Sequence, residues 1–146
     1  MKEKTIDYVL RATWTSVARM YNEEASKEGS TMATGFALLS IDPEKGTPST
    51  SLGPKMGMEA TSLSRTLKTM EDKGLITRQK NPEDGRSVLI YLTEFGKEMR
   101  NYSKSVVLKF DEAVKKEIPE EDLQTFIEVA YKIMEIVSSK KIYENG

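Results

Sequence analysis

A chain of 146 residues with 38% hydrophobic and 31% charged residues, nine glycines and five prolines has the make-up of one ordinary globular domain, and it contains neither cysteine nor histidine. Those two absences remove disulfides, thiolate nucleophiles, cysteine-ligated zinc and the usual neutral-pH acid–base, so a binding function is expected rather than an enzyme, with no metal or cofactor. Twenty-two basic against 23 acidic residues leave a net charge of −1, and no run approaches the roughly 18 consecutive apolar residues of a membrane span. The N-terminus is polar where a secretory signal is apolar, which makes the cytoplasm the expected location, away from membranes.

Ile6, Val9, Leu10, Thr13, Trp14, Val17, Met20 and Tyr21 recur at spacings of three and four, predicting a long helix that stops near Gly29. A second helix is expected after Ser30 or Thr31, carrying Met32, Phe36, Leu38 and Leu39 and ending at Asp42–Pro43. The stretch 43–48 reads as a loop. Ser49, Thr50 and Ser51 are candidate caps of a short helix through Met56, and a cap at Ser51 would put Pro54 in its first turn. Gly57 suits a tight turn. From Met58 to Lys73 a further helix gathers Ala60, Leu63, Leu67 and Met70 on one side, and Gly74 fits a left-handed stop.

Leu75 to Lys80 and Val88 to Leu92 are rich in aliphatic and β-branched residues and flank the turn formers Asn81-Pro82-Glu83-Asp84-Gly85-Arg86, which predicts a long β-hairpin. Thr93 caps a helix running to about Ile118, with Met99, Tyr102, Val106, Phe110 and Val114 along one face. Pro119 suits the first position of a last helix striped by Leu123, Phe126, Ile127, Ala130, Tyr131, Met134 and Val137.

Between Thr50 and Thr93 stand seven bases and five acids, a mildly basic segment in an acidic chain. The 58–73 helix presents Thr61, Arg65, Lys68 and Asp72 opposite its apolar side, with Ser62 and Thr69 on the flank. Small hydroxyls beside an arginine suit a DNA major groove, where the guanidinium can fork onto guanine; a plain solvent-facing surface has the same composition. What separates the two is context: helix, glycine turn, helix, then a hairpin whose tip ends in Gly85-Arg86. A guanidinium at such a tip can enter the adjacent minor groove, with Asp84 bracing the turn or orienting Arg86.

These residues resemble the MarR-type winged-helix transcriptional regulators. The matching run is Leu52 through Arg100, and its most specific parts are Ser64-Arg65, Glu71-Asp72-Lys73-Gly74-Leu75-Ile76, Asp84-Gly85-Arg86-Ser87 and Leu92-Thr93-Glu94-Phe95-Gly96. Gly53-Pro54 departs from the good helix formers usual there. The resemblance implies a mainly α fold with a small β-hairpin wing, a winged helix-turn-helix with long N- and C-terminal dimerisation helices. One MarR-type domain would then cover residues 1–146, its DNA-binding lobe at about 31–93 and its dimerisation helices at about 5–29 and 94–144.

By the same resemblance Thr61, Ser62, Ser64 and Arg65 are major-groove readers, with Lys68 and Thr69 on the same helix. Arg86 is the wing arginine, beside Asp84 and Gly85. A homodimer is implied, and the apolar residues Ile6, Val9, Leu10, Leu123, Phe126, Ile127 and Tyr131 are the candidates to bury there, unless they pack within their own chain. Family members respond to small aromatic or phenolic anions, and Arg11, Trp14, Met20, Tyr21, Met32 and Phe36 could line such a crevice or be ordinary core. The absence of cysteine excludes the thiol-oxidation branch. The expected function is therefore a sequence-specific regulator of transcription, a homodimeric repressor on a pseudo-palindromic double-stranded operator; the alternative is a winged-helix protein-interaction module without specific DNA binding.

Overall fold

The computed structural model describes residues 5–144, which form two compact units dividing between Val106 and Val107. The first unit opens with α1 (Ile6–Ser26), where the Thr5 hydroxyl caps the helix by accepting from the Tyr8 N–H at 3.1 Å. Thr31 does the same for α2 (Met32–Ser40), accepting from Thr34 N at 3.2 Å. There follow β1 (Thr47–Pro48), α3 (Ser49–Met56), α4 (Ala60–Asp72), β2 (Ile76–Lys80), β3 (Val88–Leu92) and α5 (Glu94–Glu117), which crosses the division. The second unit contains α6 (Glu120–Ser138), whose first turn holds Glu120, Glu121 and Asp122, charges that suit the positive end of a helix.

The core of the first unit lies under the helix-turn-helix. Leu38 and Ile41 from the end of α2, Leu52 from α3, Leu63, Leu67 and Met70 from α4, and Leu75, Ile76 and Ile90 from the hairpin are all buried together. At about 1.5–3 kcal/mol per buried aliphatic side chain, this cluster is what holds α4 against the sheet. The three strands are antiparallel in the order β1-β3-β2, with Ile76 opposite Leu92 and Lys80 opposite Val88.

Four boundaries differ from the sequence reading. The segment read wholly as loop contains β1, with Thr47 opposite Ile90 and Pro48 opposite Leu89. Its pairing with β3 is non-local, and the turn before it sets the approach: the Asp42 carboxylate accepts from the Glu44 and Lys45 N–H groups at 2.8 and 3.0 Å, and Gly46, at φ +75, passes so close to the Tyr91 ring that a Cβ would stand 2.6 Å from it. Those two backbone donors also hold the Asp42 carboxyl below its usual pKa range. The second difference is Pro54, which falls inside α3 rather than in its first turn because Pro48 occupies the cap position and Ser49 opens the helix. Ser51, a candidate cap, donates its hydroxyl to the Pro48 carbonyl instead, at 2.8 Å.

Third, α4 begins at Ala60 and not at Met58. Gly57 is left-handed at φ 64, and the Met58 N–H bonds back to the Gly53 carbonyl at 3.1 Å, so Met58 closes α3 and is unavailable to open the next helix. Fourth, Pro119 is the cap of α6, one residue before its first helical position.

Candidate nucleic-acid interface

The apolar stripe of α4 turns the rest of that helix outward. Leu63, Leu67 and Met70 are buried, while Thr61, Ser62, Ser64, Arg65, Lys68 and Thr69 are all exposed. Lys68 pairs along the helix with Asp72 at 3.2 Å, an exposed contact that competes little with an external anion. Among the described residues no carboxylate lies within ion-pair distance of Arg65 or Arg86. Ser64 has a second neighbourhood: with Leu67, Gly53, Pro54 and Arg78 it lines a groove of about 620 Å³ between α3, α4 and β2.

The hairpin tip is organised by its own side chains. The Asp84 carboxylate accepts from the backbone N–H of Arg86 at 3.0 Å, Asn81 accepts from Glu83 N at 3.0 Å, and the Asn81 amide donates to the buried Ser87 hydroxyl at 3.1 Å. Asp84 thus braces the turn through the backbone, and the Arg86 guanidinium remains exposed. Gly85 has an ordinary backbone and open space where a Cβ would stand, so neither conformation nor crowding requires glycine there.

The corner joining α4 to β2 is fixed from several sides. Gly74 is left-handed at φ 77, and the Leu75 N–H returns to the Met70 carbonyl at 2.9 Å. The Thr93 hydroxyl, 2.6 Å from the Gly74 carbonyl, also receives the Gly96 N–H at 3.0 Å, while Thr93 N donates to Leu75 O at 3.0 Å. From the C-terminal end of α4, Lys73 donates to the Gly29 carbonyl at 2.9 Å. Lys73, Arg78 and Thr93 were not among the site residues read from the sequence; only the alternation of Ile76 and Arg78 along β2 hinted that the arginine faces inward.

Comparison with known proteins gives this geometry a relationship. A family model described as the MarR family matches residues 31–88. The HTH-type transcriptional regulator SarZ of Staphylococcus saprophyticus is 35% identical over 107 residues, covering 69% of this chain and 73% of SarZ. The chain belongs to the MarR family.

This MarR-family protein is also 33% identical over 94 residues to the organic hydroperoxide resistance transcriptional regulator of Bacillus subtilis, a match spanning 64% of each chain. Two solved structures share the fold. The MepR–DNA complex from S. aureus has a TM-score of 0.84 at 18% identity, covering 92% of this chain and 99% of that one. A MarR variant from E. coli complexed with operator DNA has a TM-score of 0.78 at 22% identity, covering 88% and 92%. The winged helix-turn-helix read from the sequence is the fold observed, and family membership makes the protein a regulator of transcription rather than an enzyme. No described helix is long and apolar enough to cross a membrane.

Of the residues considered for an effector, three come together: Trp14 stacks on Phe36 with ring centroids 6.3 Å apart, and Tyr21 meets the same ring edge-on at 5.9 Å. Met20 and Met32 are half-buried, while Arg11 is exposed and paired with Asp7 at 2.9 Å. The apolar residues considered for dimerisation stay uncovered on their own helices. On α1, Ile6, Val9 and Leu10 are exposed; on α6, Phe126, Ile127 and Tyr131 are exposed and Leu123 is half-buried.

Proposed function

We propose that this protein is a homodimeric repressor that reads a pseudo-palindromic operator, with α4 in the major groove and the 81–87 wing in the adjacent minor groove. The observation that carries this reading is the outward polar face of α4, where Arg65 has no carboxylate partner among the described residues and stands with exposed hydroxyl and amine donors, in the same unit as an equally unpartnered Arg86. Thr61, Ser62, Ser64, Arg65, Lys68 and Thr69 would meet base edges and phosphates, and Asp84 and Gly85 would present Arg86. Two recognition helices roughly 34 Å apart would engage successive major grooves, and repression would follow from excluding polymerase.

The uncovered apolar faces of α1 and α6 support the dimer, since several large apolar residues exposed along one helix face mark an interaction surface where scattered single ones would not. The Trp14–Tyr21–Phe36 cluster supports a small aromatic or phenolic effector, which would weaken DNA binding by favouring dimers with misspaced recognition helices. The MepR and MarR complexes named above bring DNA to this reading as the ligand.

Selection of bound duplexes from a random pool tests it. A two-fold consensus is expected, and binding that falls with salt at a log–log slope near −0.9 per neutralised phosphate. Recovery of no consensus, with salt-independent or absent binding, would refute it. On the selected duplex, Arg86→Ala should lose about 1–3 kcal/mol of affinity while the oligomeric state stays unchanged. Equal affinity of variant and parent would remove the wing from the mechanism.

A further inference from the structure

Arg78 and Glu71 form the one strand-to-helix ion pair seen among the described residues, and neither belongs to the reading face of α4. Glu71 stands in the last turn of α4, a place where a carboxylate opposes the negative end of the helix and where that turn supplies no basic residue. The counter-charge comes from β2: Arg78 Nε lies 3.4 Å from Glu71 Oε1. Among the described residues that nitrogen is buried and makes no hydrogen bond, so the contact is electrostatic, and without Glu71 a partly desolvated guanidinium would have no compensating charge among them. Arg78 sits two residues beyond the buried Ile76 on the same face of the strand, opposite Ile90, and lines the groove under Ser64 and Leu67.

We infer that Glu71 and Arg78 are positioning residues for DNA binding: their pair sets the angle between recognition helix and wing, so that an acidic side chain is required for affinity toward a polyanion. This rests on the reading of α4 and the wing as the two DNA-contacting elements. The corner between them is only Lys73-Gly74-Leu75, so a small rotation of β2 at its base is magnified at Arg86, at the far end of the hairpin. The pair acts across that corner.

If Glu71 acted only through its field, Glu71→Gln would remove a repulsion from phosphate and tighten binding. Positioning requires the reverse. On the duplex selected by the parent protein, Glu71→Gln is expected to weaken binding about three- to tenfold, with loss of minor-groove protection from hydroxyl radicals and retention of major-groove protection. Arg78→Gln should do the same, and the double variant should be no weaker than the weaker single one. Both side chains are partly exposed, and a urea midpoint checks that each variant is folded. Unchanged or tighter binding by Glu71→Gln, or equal loss of protection in both grooves, would overturn the inference while leaving the DNA-binding reading intact. Failure of the parent protein to bind any selected duplex would overturn both.

Discussion

Replacing Gly96 with alanine is expected to cost about 3 kcal/mol or more of stability, although it adds one methyl group to ordinary helix. The buried Gly96 rests against the corner between α4 and β2, and an added Cβ would overlap the carbonyl oxygen of Leu75. That oxygen cannot withdraw freely. It accepts from Thr93 N at 3.0 Å and from the Thr93 hydroxyl at 3.2 Å, and Leu75 itself is buried in the core. Relief therefore requires either breaking these bonds or moving the start of α5 away from the corner, and each exposes buried polar groups. Urea unfolding of the variant measures the loss. Gly85→Ala is the control: with open space around that Cβ and no positive φ, its stability should change by no more than about 0.5 kcal/mol. Equal stability of the two variants would mean that the α5–corner contact is not tight.

The second large effect is expected at α6. Phe126 and Tyr131 are 63% and 66% exposed, and replacing both with Asp should convert a dimer into monomers, readable by sedimentation equilibrium. In a protomer alone the new carboxylates would remain solvated, so the helix has no reason to unfold. In an interface they would lose water without a counter-charge, at an effective penalty of several kcal/mol each. Operator affinity should fall with the dimer, because a protomer engages one half-site and forfeits the second. Persistence of the dimer with both carboxylates in place would exclude this face of α6 from the interface.

Local patterning made most of the fold legible. Spacings of three and four mark α1, α5 and α6 because each helix has one apolar side, and Gly57 and Gly74 mark turns because both adopt left-handed backbone. The polar face of α4 was equally readable, since the positions of Leu63, Leu67 and Met70 determine which side remains outside. Asp84 was narrowed but not decided: two roles were open, and the structure assigns its carboxylate to the Arg86 backbone. The start of α4 was misread because periodicity is blind to the bond from Met58 to Gly53 that ends the preceding helix.

By itself, then, the order of residues determined which segments form helices, which side of each is apolar, and that the outward face of α4 carries cations and hydroxyls in a chain without histidine or cysteine. These are consequences of neighbours three or four positions apart. Tertiary structure decided β1, the hold of Thr93 and Gly96 on the Gly74–Leu75 corner, and the Glu71–Arg78 pair. Each joins elements through backbone carbonyls, close approach or charge across a fold, and pairings between separate elements leave no periodic mark in the chain.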